Sequence, residues 1–305
     1  MKKKHVKIRL DSQLVKFIVP EIPKFKLPKV KVEESFAIDP EYKKWIKKIK
    51  LKERLVKSTL VIGARGKDGI VIGADRKVVR GESSSFEDKI KVFKVKVGEE
   101  ESGSIIFSAT GYTGIWEDFL EDFISSLKEN IEESNIRNLK DVKMFAEVSL
   151  EQIYLHYLPS LGKGFINFVL GGLREITKGD ALLYNLMPVE PEYMPRDRVP
   201  PAYGERITNV IILGHGTPYA KTITRFLLKE EKVNSLDIKE LAERIYVCIK
   251  WVASHGIDEY VGGEPQILGL EDNIPSLINF EEKLDKNRIN EKIEEIQKIL
   301  SEWKF

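Results

Sequence analysis

Two short apolar strands joined by a tight turn constrain this chain more than any other feature. Thr59 to Ala64 and Ile70 to Ala74 are β-branched, alternating or fully apolar, the composition of pleated, buried strands. Lys67-Asp68-Gly69 between them is a hairpin signal, because glycine takes positive φ without steric cost. Asp75 stands at the exit of the second strand, and Lys91 begins a third apolar stretch, Val92 to Val97. Strand ends are rigid mounts for chemistry. A hydroxyl (Thr59), a carboxylate (Asp75) and an amine (Lys91) therefore sit on one small framework.

Charge marks a boundary at the same place. Residues 1–58 hold 18 Lys/Arg and 7 Asp/Glu, a balance of +11. With 50 Lys/Arg and 48 Asp/Glu in all, the remainder carries 32 minus 41, or −9. The basic segment reads as a tail to Arg9, a stretch around Pro20, Pro23 and Pro28, and a part from Glu41 to Leu55. Lys24-Phe25-Lys26-Leu27 alternates like an edge strand or strap, and Trp45, Ile46, Ile49 and Leu55 suit one side of a short basic helix. Such a segment suits nucleic acid or an anionic membrane. The opposite charge of the remainder favours a propeptide or strap lying on its own acidic core.

Beyond the opening strands, Ser104 to Ala109 reads as a strand ending in Thr110-Gly111-Tyr112-Thr113-Gly114. A helix follows, with Trp116, Phe119, Leu120, Phe123, Ile124, Leu127 and Ile131 on one face. A second helix is expected from Val142 to Leu158, stopped by Pro159, with His156 a satisfied helix histidine. Phe165–Leu170, Asp180–Tyr184 and Val210–Leu213 read as strands, and Met187 to Tyr203, with five prolines, as an irregular insertion. Thr217-Pro218 opens a helix with Tyr219, Ile223, Phe226 and Leu227 on its buried face. A further helix takes Ser235 as its N-cap and carries Ile238, Leu241, Ile245, Cys248, Ile249 and Val252. From Pro275 the chain is a helical appendage whose seam is Ile289, Ile293, Ile296, Leu300 and Trp303.

The residues from Thr59 to Phe93 resemble the proteasome β-subunit family of N-terminal-nucleophile (Ntn) hydrolases. Thr59, Gly63, Lys67-Asp68-Gly69, Ala74-Asp75-Arg76 and Lys91-Val92-Phe93 match that family's motifs without a gap. The resemblance implies an α+β fold, a four-layer αββα sandwich with two antiparallel sheets between helix pairs. It implies domains of 1–58 (pro-segment or strap), 59–273 (Ntn-hydrolase domain) and 274–305 (helical appendage). It further implies a threonine-type endopeptidase, made as a zymogen and activated by cleavage before Thr59. Thr59 would be the nucleophile and its freed α-amine the base. Lys91, held charged by Asp75, would lower that amine's proton affinity. Gly111 N–H would support the oxyanion, and Asp258 would orient the terminus.

The chain departs from the family at three places. His215 stands where active members carry serine in Gly-Ser-Gly, Val261 where they carry serine before Gly-Gly, and Ser58 where self-processing members have glycine. These departures favour a second reading, a non-catalytic scaffold or assembly subunit. A third is a relative that passes the acyl group to an amine, or a binder using the basic segment.

The implied partners are a peptide or unfolded protein substrate and other copies or ring subunits, with no membrane and no nucleic acid. No cofactor or metal is expected, since the four histidines show no ligand spacing. Cys248, the chain's one cysteine, excludes an internal disulfide and reads as core. No apolar run reaches the roughly 20 residues of a membrane span and no signal peptide is seen, so a cytoplasmic protein is expected. Val78, Lys89, Ala109, Thr113 and Glu117 are the expected substrate-pocket positions.

Overall fold

Strand β3 (Leu60–Arg65) divides its side chains between two cores. Leu60, Ile62 and Ala64 face one side and Val61 the other, as the two-residue period of a strand requires. Its hairpin partner β4 (Gly69–Ala74) does the same, with Val71 on the first side and Ile70, Ile72 and Ala74 on the second. A strand buried on both faces must be apolar nearly throughout, which is why this hairpin stands out in the sequence. A computed structural model describes residues 4–10, 13–19, 59–80, 83–97, 101–132, 136, 138–161, 166–188, 202–214, 217–228, 230–255 and 258–302.

The fold is mixed α and β, with antiparallel sheets. One five-stranded sheet has the order β12-β3-β4-β13-β14, adding β12 (Val210–Gly214), β13 (Gln266–Glu271) and β14 (Ile278–Asn279). The other has the order β11-β10-β9-β8-β7, from β7 (Lys91–Val97), β8 (Glu101–Gly111), β9 (Ile166–Leu173), β10 (Ala181–Pro188) and β11 (Ala202–Ile207). Between the sheets lies an apolar cluster that includes Val61, Ile70, Ile72, Ile90, Ile106, Val169 and Leu183. Helices α1 (Thr113–Glu132) and α2 (Leu139–Leu161) share a core with the second sheet, centred on Phe107, Phe119, Phe123 and Phe168. Helices α3 (Thr217–Leu228) and α4 (Ile238–Ser254) pack on the first sheet, and α5 (Lys286–Glu302) packs against α4. In this layer Cys248 is buried, its thiol pushed up to about 12 by burial, so it behaves as a core residue.

Several boundaries differ from the sequence reading. Helix α2 runs two residues past Pro159. The N-cap of α4 is Asp237, not Ser235: Asp237 accepts from Glu240 N while Glu240 reaches back, a capping box. Ser235 instead closes a 3-10 turn, Glu230–Ser235. The proline-rich insertion begins and ends in strand, since β10 extends to Pro188 and β11 starts at Ala202. The tail is part of a two-stranded hairpin, β1 (Lys4–Leu10) with β2 (Gln13–Val19). The expected strap at Lys24–Leu27, the basic helix around Trp45, and His215 and Trp303 lie outside the described residues. Near the C-terminus, β14 joins the first sheet and α5 seats Ile289 and Ile296 in its core. Glu243 of α4, nearly buried, holds Lys292 and Arg288 of α5. No described helix is long and apolar enough to cross a membrane.

A second small sheet matters most for the site. Strands β5 (Lys77–Arg80) and β6 (Ser83–Phe86) form a hairpin in which Lys77 faces Phe86. Glu87 N–H donates to the Arg76 carbonyl at 2.9 Å, so the pairing continues one step further. The arm therefore returns the chain to Asp75 at residues 88 and 89.

Candidate active site

Thr59 is buried at the start of β3 and has φ 147°, a conformation that β-branched residues rarely adopt. Such an outlier stores on the order of 1–3 kcal/mol, held by its surroundings. Gly214 is part of that support. A Cβ placed there would lie 2.0 Å from the Thr59 carbonyl oxygen, and Gly214 itself has φ +92°. Only glycine allows this approach.

Asp75 is fully buried and its carboxylate accepts four hydrogen bonds. Oδ1 takes Leu60 N–H at 2.8 Å and Lys89 Nζ at 2.9 Å. Oδ2 takes Lys77 N–H at 3.1 Å and Gly262 N–H at 3.0 Å. A buried charge persists when it is paired and hydrogen-bonded in this way. Lys89 also donates to the Lys77 carbonyl at 2.5 Å and is 7% exposed. Burial pulls the Lys89 ammonium below the usual lysine range, while Asp75 and Glu87 oppose that shift.

The lysine that meets Asp75 is thus Lys89, where the sequence reading placed Lys91. The reason is register. Lys77 pairs with Phe86 and Arg76 with Glu87, which puts residue 88 opposite Asp75 and Lys89 one step beyond. Lys91 already belongs to β7, paired with Phe107 of β8. The two lysines flank a bend at Ile90. Both line one cleft, Lys89 at depth and Lys91 half-buried.

Thr59 and Gly111 line this cleft too, so three elements converge there: the start of β3, the end of β8 and the segment before β7. Gly111 has φ +128°, so its backbone would be strained with any other residue. Val78, Ala109 and Glu117 line the cleft as expected; the Thr113 side chain lies outside the described ones. Trp116 and Leu120 of α1 add an apolar wall, and Glu87 and Asp88 add carboxylates. Asp88 is paired with Arg76 at 2.7 Å.

Asp258 is not among the cleft-lining residues. Its carboxylate caps its own turn, accepting from Tyr260 N–H at 2.9 Å. That turn leads through Val261, buried and apolar, to Gly262, which donates to Asp75. Asp258 is therefore joined to the site through the backbone of this loop. No local motif marks Lys89 as the partner of Asp75, and Gly214 and Gly262 stand in the sequence only as members of short glycine-containing turns.

No protein-family model matches the chain, and no curated protein does. Solved structures do. The Anbu (Gly-1) mutant from Hyphomicrobium sp. strain MC1 aligns with a TM-score of 0.59 at 14% identity, over 80% of this chain and 98% of that one. Anbu from the same strain gives 0.58 at 14%, over 81% and 98%. Anbu (ancestral beta-subunit) from Yersinia bercovieri gives 0.58 at 14%, over 80% and 95%. At this identity the likeness is one of fold. It corrects the family placement read from Thr59 to Phe93: these neighbours are proteasome-like but a distinct family, not plain proteasome β-subunits.

Proposed function

We propose that the chain is a proteasome-like Ntn hydrolase, a threonine-type endopeptidase whose nucleophile is Thr59. The observation that carries this reading is a buried, strained threonine that lines one cleft with Lys89, whose buried partner Asp75 also holds the N–H of Leu60. The two sheets with helices on their outer sides suit the four-layer αββα sandwich that such enzymes use. Residues 1–58 are the pro-segment, removed by attack of the Thr59 hydroxyl on the Ser58 carbonyl and hydrolysis of the resulting ester. Strain in the Thr59 backbone lowers the barrier to that attack.

In the processed chain the Thr59 hydroxyl attacks a peptide carbonyl, and its proton passes to the new α-amine. An α-amine with an ordinary pKa of roughly 7.7–8.0 is a competent base near neutral pH. Lys89, beside it, supplies positive charge that keeps the amine unprotonated and stabilises the developing alkoxide. Asp75 fixes Lys89 and, through Leu60 N–H, the strand that carries Thr59. Gly111 N–H supports the oxyanion. Asp258 orders the loop that completes the Asp75 cradle. Lys91 sits further out and meets substrate. Rings or homo-oligomers fit the proteasome-like fold.

A non-catalytic assembly subunit is the second reading, favoured by apolar, buried Val261 at a position where a helper serine was expected. Hydrolysis of an unfolded protein such as reduced casein separates the two. The peptidase reading requires cleavage by the assembled chain and none by Thr59→Ala. Equal absence of cleavage in both, with assembly intact, supports the scaffold.

A further inference from the structure

Ile90 follows Lys89, and one side chain holds both polar groups of its backbone. Ile90 N–H donates to Gln266 Oε1 at 2.7 Å, and Gln266 Nε2 donates to the Ile90 carbonyl at 3.1 Å. Gln266 is 6% exposed and sits opposite Ala74, the residue before Asp75, in the β13–β4 register. From the other sheet, Ser108 of β8 donates its hydroxyl to the Lys89 carbonyl at 3.0 Å. The Lys89–Ile90 segment lies between β6 and β7, outside both strands, and side chains from both large sheets satisfy its backbone. A buried amide is costly unless both of its ends are bonded, and here both are.

Lys89 and Lys91, on either side of Ile90, both line the cleft, so the register of this stretch decides which of them reaches Asp75. We propose that Gln266 is a positioning residue: its reciprocal clamp on Ile90 sets the register in which Lys89, and not Lys91, pairs with Asp75. Ile90, fixed by the same clamp, fills the core between the sheets. Ser108 adds a second hold on the same peptide. The consequence for activity rests on the hydrolase reading, but the placement of Lys89 can be measured without it.

The charged groups around the Lys89 ammonium are Asp75 at β4's exit, Glu87, Asp88 and Lys91 on its own stretch of chain, and Glu117 of α1 in the lining of the same cleft. The test is lysine side-chain NMR with carbon-13 at Cε on the full-length Thr59→Ala chain, which cannot process itself. Lys89→Arg identifies the Lys89 signal. We expect Lys89 to titrate below the exposed lysines, and Gln266→Met to move it by at least about half a unit toward them. Gln266→Glu, which keeps an acceptor for Ile90 N–H but loses the donor, should move it in the same direction. The Ile90 amide should exchange with solvent at least about tenfold faster in Gln266→Met, its acceptor being gone. An unchanged Lys89 midpoint in both folded variants would overturn the proposal, even if both were less stable. Failure of the hydrolase reading looks different: the chain with Thr59 intact retains residues 1–58, yet the Gln266 variants still move Lys89.

Discussion

Asp75 Oδ1 lies 2.9 Å from Lys89 Nζ and accepts the Leu60 N–H at 2.8 Å, so a single oxygen ties the buried lysine to the residue after Thr59. Breaking such a pair from one side leaves a buried group uncompensated, at a cost of about 3–5 kcal/mol. Asp75→Ala should lose that much by denaturant unfolding, because the N–H groups of Leu60 and Gly262 are orphaned as well. Asp75→Asn with Lys89→Met should cost less than the sum of the two single changes. Strict additivity would show that the pair is not coupled.

Stability should also depend on pH through Lys89. Its folded pKa is lowered by burial, so between that value and the unfolded value of about 10.4 the unfolded chain binds the extra proton. Stability contributed by this group therefore rises as pH increases through that window and is lowest below it. The stability difference between wild type and Lys89→Met should grow with pH from neutral toward 10. A difference that stays flat over that range would contradict a lowered Lys89.

Gly214 faces the Thr59 carbonyl with no room for a side chain. Gly214→Ala should destabilise the fold by more than about 1 kcal/mol, both from the collision and from its φ of +92°. It should also slow cleavage before Thr59, since the strained carbonyl would shift. Normal processing together with normal stability would mean that Gly214 does not shape the Thr59 backbone.

The two lysines should separate sharply in kinetics. Lys89→Ala should lower hydrolysis by at least about 100-fold, the usual span for losing a preplaced group that stabilises developing charge. Lys91→Ala should lower it by less than about tenfold and act mainly on KM. The opposite ranking would restore Lys91 to the role that the sequence alone suggests.

The β3–β4 hairpin was legible because a strand buried on both faces must be continuously apolar. The identity of the lysine was not. Lys89 and Lys91 line one cleft, and the choice between them depends on the register of β5 with β6, where Val78 to Ser85 offers mixed polarity and no strong pattern. The α4 cap was readable but misread: Asp237 has Glu240 three residues on, the capping-box spacing, while Ser235 has Ile238. Gln266 carried no local signal at all, since its partners are 176 residues away in sequence.

The central claim is that the bond before Thr59 is cut by Thr59 itself. Intact-mass measurement on the assembled full-length chain, beside Thr59→Ala, tests it directly. The wild type should lose residues 1–58 and gain a new terminus at Thr59, slowly because of Ser58 and completely only after assembly, and Thr59→Ala should show no such loss. A wild type that keeps residues 1–58 through assembly and prolonged incubation, or a Thr59→Ala chain cut at the same bond, would contradict it.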